Sequence, residues 1–330
     1  MSNKKVIGTN LIETQVAIKI IKDFFEKELS RKLSLTRVSA PLFVFKSSGL
    51  NDELSGNELP ISFKAKALDE DVEIVQSLAK WKRYALKKYD FKYGQGIYTD
   101  MNAVRKDEVL DEIHSLYIDQ WDWEKIILST DRNIGYLKKV VRKIYHCLYK
   151  TEQKINSIYG DLTTKLPKKI TFITSNKLLS LYPELSPKER EYEICKLHRA
   201  VFILKIGAKL KNNLVHDTRA ADYDDWKLNG DLLVFDDLIN GPLELSSMGI
   251  RVDKERLIKQ LKIKKEEYKL DNFYCQGIIN NEFPLTIGGG IGQSRLCMFF
   301  LDKKHIGEVQ SSIWNQKDID EALSLGLKIL

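Results

Sequence analysis

Thr286-Ile287-Gly288-Gly289-Gly290-Ile291-Gly292-Gln293-Ser294-Arg295-Leu296 sets four glycines in five positions directly before a run, Ser294 to Phe299, that reads as a helix start. Without a Cβ, backbone can come very close to another group. Backbone N–H groups at a helix start favour anions. An arginine in the first turn can fork onto a phosphate or lie flat on a purine. The stretch therefore reads as a nucleotide site, with a tight turn as the rival reading of a glycine cluster. A Rossmann fingerprint does not suit it. That motif opens a βαβ unit and carries an acidic residue about 20 positions on, and fewer than 40 residues follow Gly292.

Working outward, Leu11, Val16, Ile20, Phe24 and Leu29 recur near helical spacing and predict a helix over 10–32. Arg37 to Pro41 reads as a strand ending at proline, 44–60 as a polar loop and 61–66 as an alternating strand. Ser77 to Tyr89 reads as a helix carrying Lys80, Lys82 and Arg83. Strands follow over Gly96–Arg105 and His114–Trp123, then a long helix over 129–159. Ser186-Pro187-Lys188-Glu189 combines an N-cap serine, proline at N1 and glutamate at N3. Further strands are expected at 169–174, 201–206, 231–235 and 243–248, and a charged, solvated helix at 254–268. Early strands that do not alternate with helices predict an α+β fold, a largely antiparallel sheet with helices around it. No repeat, low-complexity tract or linker divides the 330 residues, so one domain is expected.

Composition narrows the function classes. With 43% apolar and 30% charged residues the chain is of ordinary globular type. A net charge of +7 spread over 53 basic and 46 acidic residues suits anionic small substrates better than nucleic acid. Cys147, Cys195, Cys275 and Cys297 form no CxxC pair, which argues against zinc and a disulfide framework. Buried thiols in a reducing cytoplasm are the expectation. With no apolar run of 18 residues and no signal core, neither a membrane span nor export is expected.

Polar density concentrates in four segments: Arg105–Glu108 with His114–Glu124, His216–Trp226, Asn229–Asp231 and Glu244–Arg251. Alternation in the strand to Trp123 puts Gln120 and Asp122 on one face and Asp119, Trp121 and Trp123 on the other. A face bearing an amide and a carboxylate suits a substrate ammonium. Glu244 and Ser246 share a face if their strand is regular. For each cluster alone, solvated strand ends and core tryptophans are the plainer reading.

Arg105 in a strand-loop-strand, followed by Gly290 to Arg295, resembles motifs 2 and 3 of class II aminoacyl-tRNA synthetases. The helix over 10–32 with the strand to Pro41 resembles motif 1, the dimer element. Ser77-Leu78-Ala79-Lys80-Trp81-Lys82-Arg83, Asp119-Gln120-Trp121-Asp122-Trp123-Glu124, Glu244-Leu245-Ser246-Ser247-Met248-Gly249-Ile250-Arg251 and Thr286 to Leu296 together resemble the ammonia-dependent asparagine synthetases (aspartate–ammonia ligases), from about residue 5 to residue 328.

That resemblance implies a cytoplasmic homodimer that binds neither nucleic acid nor membrane, with one synthetase-like catalytic domain per chain. It implies Mg²⁺ with ATP, L-aspartate and ammonia as substrates, and asparagine, AMP and diphosphate as products by way of β-aspartyl-AMP. By motif position, Arg105 would hold the α-phosphate with Glu108 beside it. Gly290, Gly292 and Arg295 would lie on the nucleotide, and Asp231 and Glu244 would hold the metal. Lys82, Gln120, Asp122, Asp224, Ser247 and Arg251 would hold the amino acid and acyl phosphate. Asp52, in Asp52-Glu53-Leu54-Ser55-Gly56, would serve the ammonia step. One departure is visible: only Lys227 and Leu228 separate Trp226 from Asn229-Gly230-Asp231, where family members often carry a longer loop.

Three other functions are weighed. An aspartyl-tRNA synthetase would need an anticodon-binding domain of roughly 80–100 residues that this layout leaves no room for. A non-catalytic relative should have eroded Arg105, Asp231, Glu244 and Arg295. A glutamine-dependent amidotransferase would need a nucleophilic cysteine, and none of the four has such a setting.

Overall fold

The computed structural model describes residues 4–8, 10–54 and 58–330, so Ser55 and Gly56 of the loop after Asp52 lie outside the described residues. Helix α1 (Leu11–Leu33) starts where the Asn10 side chain accepts from the Glu13 amide and ends at Ser34 in the left-handed region (φ 61°). Its inward stripe is Ala17, Ile18, Ile21, Phe25 and Leu29. The apolar set expected from spacing is partly its outer shoulder, for Leu11 and Val16 are exposed.

An eight-stranded sheet runs in the order β1 (Leu35–Arg37), β5 (Gly96–Val104), β6 (Tyr117–Ile126), β11 (Thr286–Gly292), β10 (Gly241–Arg251), β9 (Asp224–Asp236), β8 (Ala200–Leu204) and β7 (Thr171–Thr174). Pairings from β5 through β8 are antiparallel, and only the edge strands β1 and β7 join parallel. A small second sheet orders β2 (Phe43–Phe45), β4 (Val72–Ile74) and β3 (Ser62–Phe63). The remaining helices are α2 (Ala79–Lys88), α3 (Ile134–Ile158), α4 (Ser175–Leu181), α5 (Pro187–His198), α6 (Lys254–Lys264), α7 (Phe273–Ile279), α8 (Gln293–Phe300) and α9 (Gln316–Ser324). The expected α+β fold, an antiparallel sheet flanked by helices, is the fold observed. The expected strand at Arg37–Pro41 lies earlier, at Leu35–Arg37.

Two apolar layers cover the sheet. Trp121 and Trp123 are fully buried with α1, α3 and α8, and the Phe25 and Trp121 ring centroids are 4.8 Å apart. On the other side α2, α6 and α7 pack Leu78, Trp81, Leu86, Leu257, Leu261 and Tyr274 around Ile97 and Trp226. At α5 the expected cap forms: Ser186 and Glu189 exchange side-chain to backbone bonds, with Pro187 at N1. Among the described residues no helix is long and apolar enough to cross a membrane. All four cysteines are buried thiols.

The glycine run is neither a turn nor a phosphate loop. It is β11, a central strand flanked by β6 and β10. A Cβ on Gly288 would stand 1.8 Å from the Glu124 carboxylate, and one on Gly290 would stand 2.1 Å from the Gln120 amide oxygen. The close approach read from the sequence is real, but the approaching groups are side chains of β6 lying flat across β11.

Candidate active site

Gln120 and its β6 neighbour Asp122 face a cavity. Thirteen of the expected site residues line it: Asp52, Lys82, Arg105, Glu108, Gln120, Asp122, Asp224, Glu244, Ser247, Gly290, Gly292, Arg251 and Arg295. Asp231 is the exception and lies behind them.

One group of contacts centres on Arg251. Its Nε and Nη2 donate to the Glu124 carboxylate at 2.8–3.1 Å, and Nη1 donates to Asp224 Oδ1 at 2.5 Å. All three side chains are buried. The two carboxylates hold the guanidinium charged, above its ordinary range, against the cost of burial. Beside it, Lys82 Nζ from α2 lies 2.5 Å from Asp122 Oδ1 and 3.1 Å from the Gly289 carbonyl. Burial, the largest influence, pulls the Lys82 ammonium down, although Asp122 opposes it. Asp122 also accepts from the Leu78 amide, through its other oxygen.

Asp52 is buried on the loop after β2. It accepts from Ser77 Oγ at 2.8 Å and from the Leu54 amide at 2.9 Å. Burial raises its carboxyl above the usual range; Lys80 pulls it back and Asp222 adds to the rise.

A second group holds two arginines. Arg295 Nη1 donates to the Glu244 carbonyl at 3.1 Å and Nε to the Ile113 carbonyl. Arg105 reaches Glu108 at only 4.0 Å, and its buried Nε has no hydrogen-bond partner. The first amides of α8 face an anion, as expected of a helix start, but that anion is the chain's own Asp119, which accepts from the Ser294 amide and hydroxyl.

Two expectations need correcting. Glu244 and Ser246 do not alternate regularly, because the β9–β10 register shifts between them. The Ser246 hydroxyl donates instead to the Gly290 carbonyl. After that bulge Met248 and Ile250 lie in the core and Ser247 and Arg251 on the cavity, with a second register shift between Gly249 and Arg251. Asp231 does not line the cavity; its Oδ2 pairs with Arg219, which also holds Asp217. Asp231 Oδ1 stays buried without a partner.

Sequence reasoning gave no role to Glu124, Arg219, Ser77 or the Lys80–Asp222 pair. Glu124 was findable, since it continues the period-two face of Gln120 and Asp122. Arg219 meets Asp231 through an irregular loop, and no periodic signal marks such a contact.

A sequence profile of the family described as "Aspartate-ammonia ligase" matches residues 12–325. The chain belongs to the aspartate–ammonia ligase family. It is 57% identical over 325 residues to "Aspartate--ammonia ligase" of Fusobacterium nucleatum, covering 98% of this chain and 99% of that one. It is 52% identical over 322 residues to the protein of the same description from Mycoplasmoides gallisepticum, covering 97% and 98%. Like those family members, the chain is a ligase. In fold it is similar to an asparaginyl-tRNA synthetase from Pyrococcus horikoshii solved with asparaginyl-adenylate (TM-score 0.65, 14% identity, 90% of this chain and 68% of that one). A putative aspartyl-tRNA synthetase from Leishmania major gives a TM-score of 0.63 at 12% identity, covering 93% of this chain and 66% of that one. The chain thus spans about two thirds of those synthetases and shares their class II catalytic fold.

Proposed function

We propose that the protein makes L-asparagine from L-aspartate and ammonia, with ATP cleaved to AMP and diphosphate by way of β-aspartyl-AMP. The observation that carries this reading is a single cavity containing both a buried arginine–acid–lysine cluster and an arginine pair with a free donor.

The aspartate β-carboxylate must meet the α-phosphate, and two anions repel. Cations at the meeting point offset that repulsion and stabilise charge growing on the phosphoryl oxygens. Arg105, with an uncommitted buried Nε, and Arg295 serve the phosphates, with Glu108 orienting Arg105. Gly290 and Gly292 keep side chains off that floor. Lys82 has one of its three N–H donors still free for the reacting carboxylate. Arg251 has five N–H donors, and those left over from Glu124 and Asp224 suit the substrate α-carboxylate. Asp224, Gln120 and Asp122 suit its α-ammonium, with Ser247 at the acyl phosphate.

Magnesium fits the residues present. Asp231 Oδ1 is a buried acceptor without a partner, and Glu244 stands close enough to raise the Asp231 carboxyl. Among the described residues no group of three or more ligating side chains surrounds that point. One or two carboxylates completed by phosphate oxygens are typical of this ion. Asp231 and Glu244 would hold it, and it would supply charge neutralisation on the leaving diphosphate.

For the second half-reaction, ammonium must lose a proton before nitrogen can attack. Asp52, with its raised carboxyl and ordered oxygens, accepts that proton; the nitrogen then forms the amide bond, AMP departs with the electron pair, and the second proton shed by the new amide nitrogen passes to solvent. The exposed Leu11, Ile12 and Val16 on α1 support a homodimer formed through that helix, and a cytoplasmic setting suits this chemistry.

The test is to supply ATP, Mg²⁺ and each amino acid, with and without ammonium, and to follow AMP and amide. AMP formation that needs both aspartate and ammonium, without tRNA, is expected. Diphosphate exchange with a different amino acid would overturn the assignment.

A further inference from the structure

A second cavity lies on the far side of the Asp52 loop. Among the described residues its lining includes Lys46, Asn51, Glu53, Ser62, Glu73, Lys80, Lys269 and Asn272. Asn51 and Glu53 flank Asp52 in sequence, and Asp52 itself lines the first cavity. The Asp52 loop is thus a shared wall, with one cavity on each side.

The wall is polar and incompletely satisfied. Lys80 Nζ, which reaches the second cavity, pairs with Asp222 Oδ2 at 2.6 Å, both side chains at most 5% exposed. Lys80 and Asp222 are also the two charged groups that act most strongly on Asp52. Asp222 Oδ1 and the Tyr274 hydroxyl are buried there without hydrogen-bond partners. A buried acceptor and a buried hydroxyl left open along this wall would suit a small molecule that donates and accepts hydrogen bonds. The charges of the second cavity are largely balanced: Lys269 pairs with Glu53 and Lys80 with Asp222, and the remaining Lys46 and Glu73 are of opposite sign. Such a lining has little net charge to draw a phosphate or a dicarboxylic acid.

We infer that ammonia reaches Asp52 through this second cavity, past the Lys80–Asp222 pair, and not through the cavity that holds the nucleotide and aspartate. The inference rests on the reading of Asp52 given above. Once the adenylate fills the first cavity its mouth is occupied, and the second cavity is then the approach left to a nucleophile bound for Asp52. The ammonium proton passes to the Asp52 carboxylate at the end of that path, and the nitrogen lone pair is then free to attack.

Ser62 is exposed on the short strand β3 and lines the outer part of this cavity. The native cysteines are all buried, so a Ser62→Cys protein offers one accessible thiol. Blocking it with a benzyl methanethiosulfonate reagent, reversible by dithiothreitol, plugs the cavity without touching the first. The expected result is a rise of about tenfold in the KM for ammonium on labelling, reversed by reduction. Aspartate-dependent ATP–diphosphate exchange and the KM for aspartate should not change. An unchanged ammonium KM in fully labelled protein with normal exchange would overturn the passage alone. Wild-type protein without aspartate-dependent exchange would overturn the proposed function, and the passage with it.

Discussion

At the scale of single residues, the site depends on charges that cancel in burial. Arg251 is the clearest case, because Glu124 and Asp224 are compensated by nothing else of comparable strength. Arg251→Leu leaves two buried carboxylates without their cation, and breaking a buried pair this way commonly costs about 3–5 kcal/mol. The variant should lose thermal stability as well as aspartate affinity, visible as a lower Tm together with a raised KM. A raised KM at unchanged Tm would mean that the pair contributes little to folding. Ser77 permits a finer test. Its hydroxyl favours the charged form of Asp52, so Ser77→Ala should raise that carboxyl further. As the proposed base, Asp52 would work only above its own pKa, so the acid limb of amide formation should move to higher pH. Diphosphate exchange, which does not use Asp52, should keep its profile. A limb that moved to lower pH, or moved equally in both assays, would count against Asp52 as the base.

At the scale of elements, β11 explains why the glycines are where they are. The neighbouring Glu124 and Gln120 side chains cross its surface, and only a strand without side chains there leaves them room. Gly288→Ala would push its Cβ into the Glu124 carboxylate and so into the Arg251 pair. A loss on the order of 2–4 kcal/mol is expected, within the range of overpacking and broken buried networks. Gly292→Ala meets nothing nearer than Arg295 Cβ at 3.4 Å, and its stability should change by less than about 1 kcal/mol. Chemical denaturation of the two variants decides the point, and equal losses would refute this account of the strand. Sequence alone could recover that glycines at 288–292 permit close approach. It could not recover what approaches, because the register that lays Glu124 against Gly288 is a long-range pairing. The same limit hid the bulge at Glu244–Ser246, since a register shift leaves no mark on an alternating pattern. The start of α5 was more legible, because the cap at Ser186 is local.

At the scale of the whole molecule, the sheet brings distant segments together. Asp52, Arg105, Asp122, Glu244 and Arg295 come from widely separated parts of the chain and line one cavity. Periodicity could say which face of each strand is polar. Gathering those faces into one site required the resemblance to a family, because strand order cannot be read from spacing. The pairing of Asp231 with Arg219 escaped both readings. If Asp231 and Glu244 hold magnesium, chelating it should abolish AMP formation while leaving the far-UV CD spectrum unchanged. Loss of secondary structure on chelation would instead indicate a structural metal. The exposed apolar shoulder of α1 leads to a further expectation. Ile12→Asp should shift the light-scattering mass from two chains to one, and an unchanged mass would move the dimer interface elsewhere.

The central claim is that the aspartate β-carboxylate attacks the α-phosphorus and that AMP later leaves from the acyl carbon. Aspartate labelled with ¹⁸O in the β-carboxylate, supplied with ATP, Mg²⁺ and ammonium, tests this directly by mass spectrometry of the products. The account predicts one labelled oxygen in AMP and none in diphosphate. Label-free AMP, or label in an inorganic phosphate product, would contradict it.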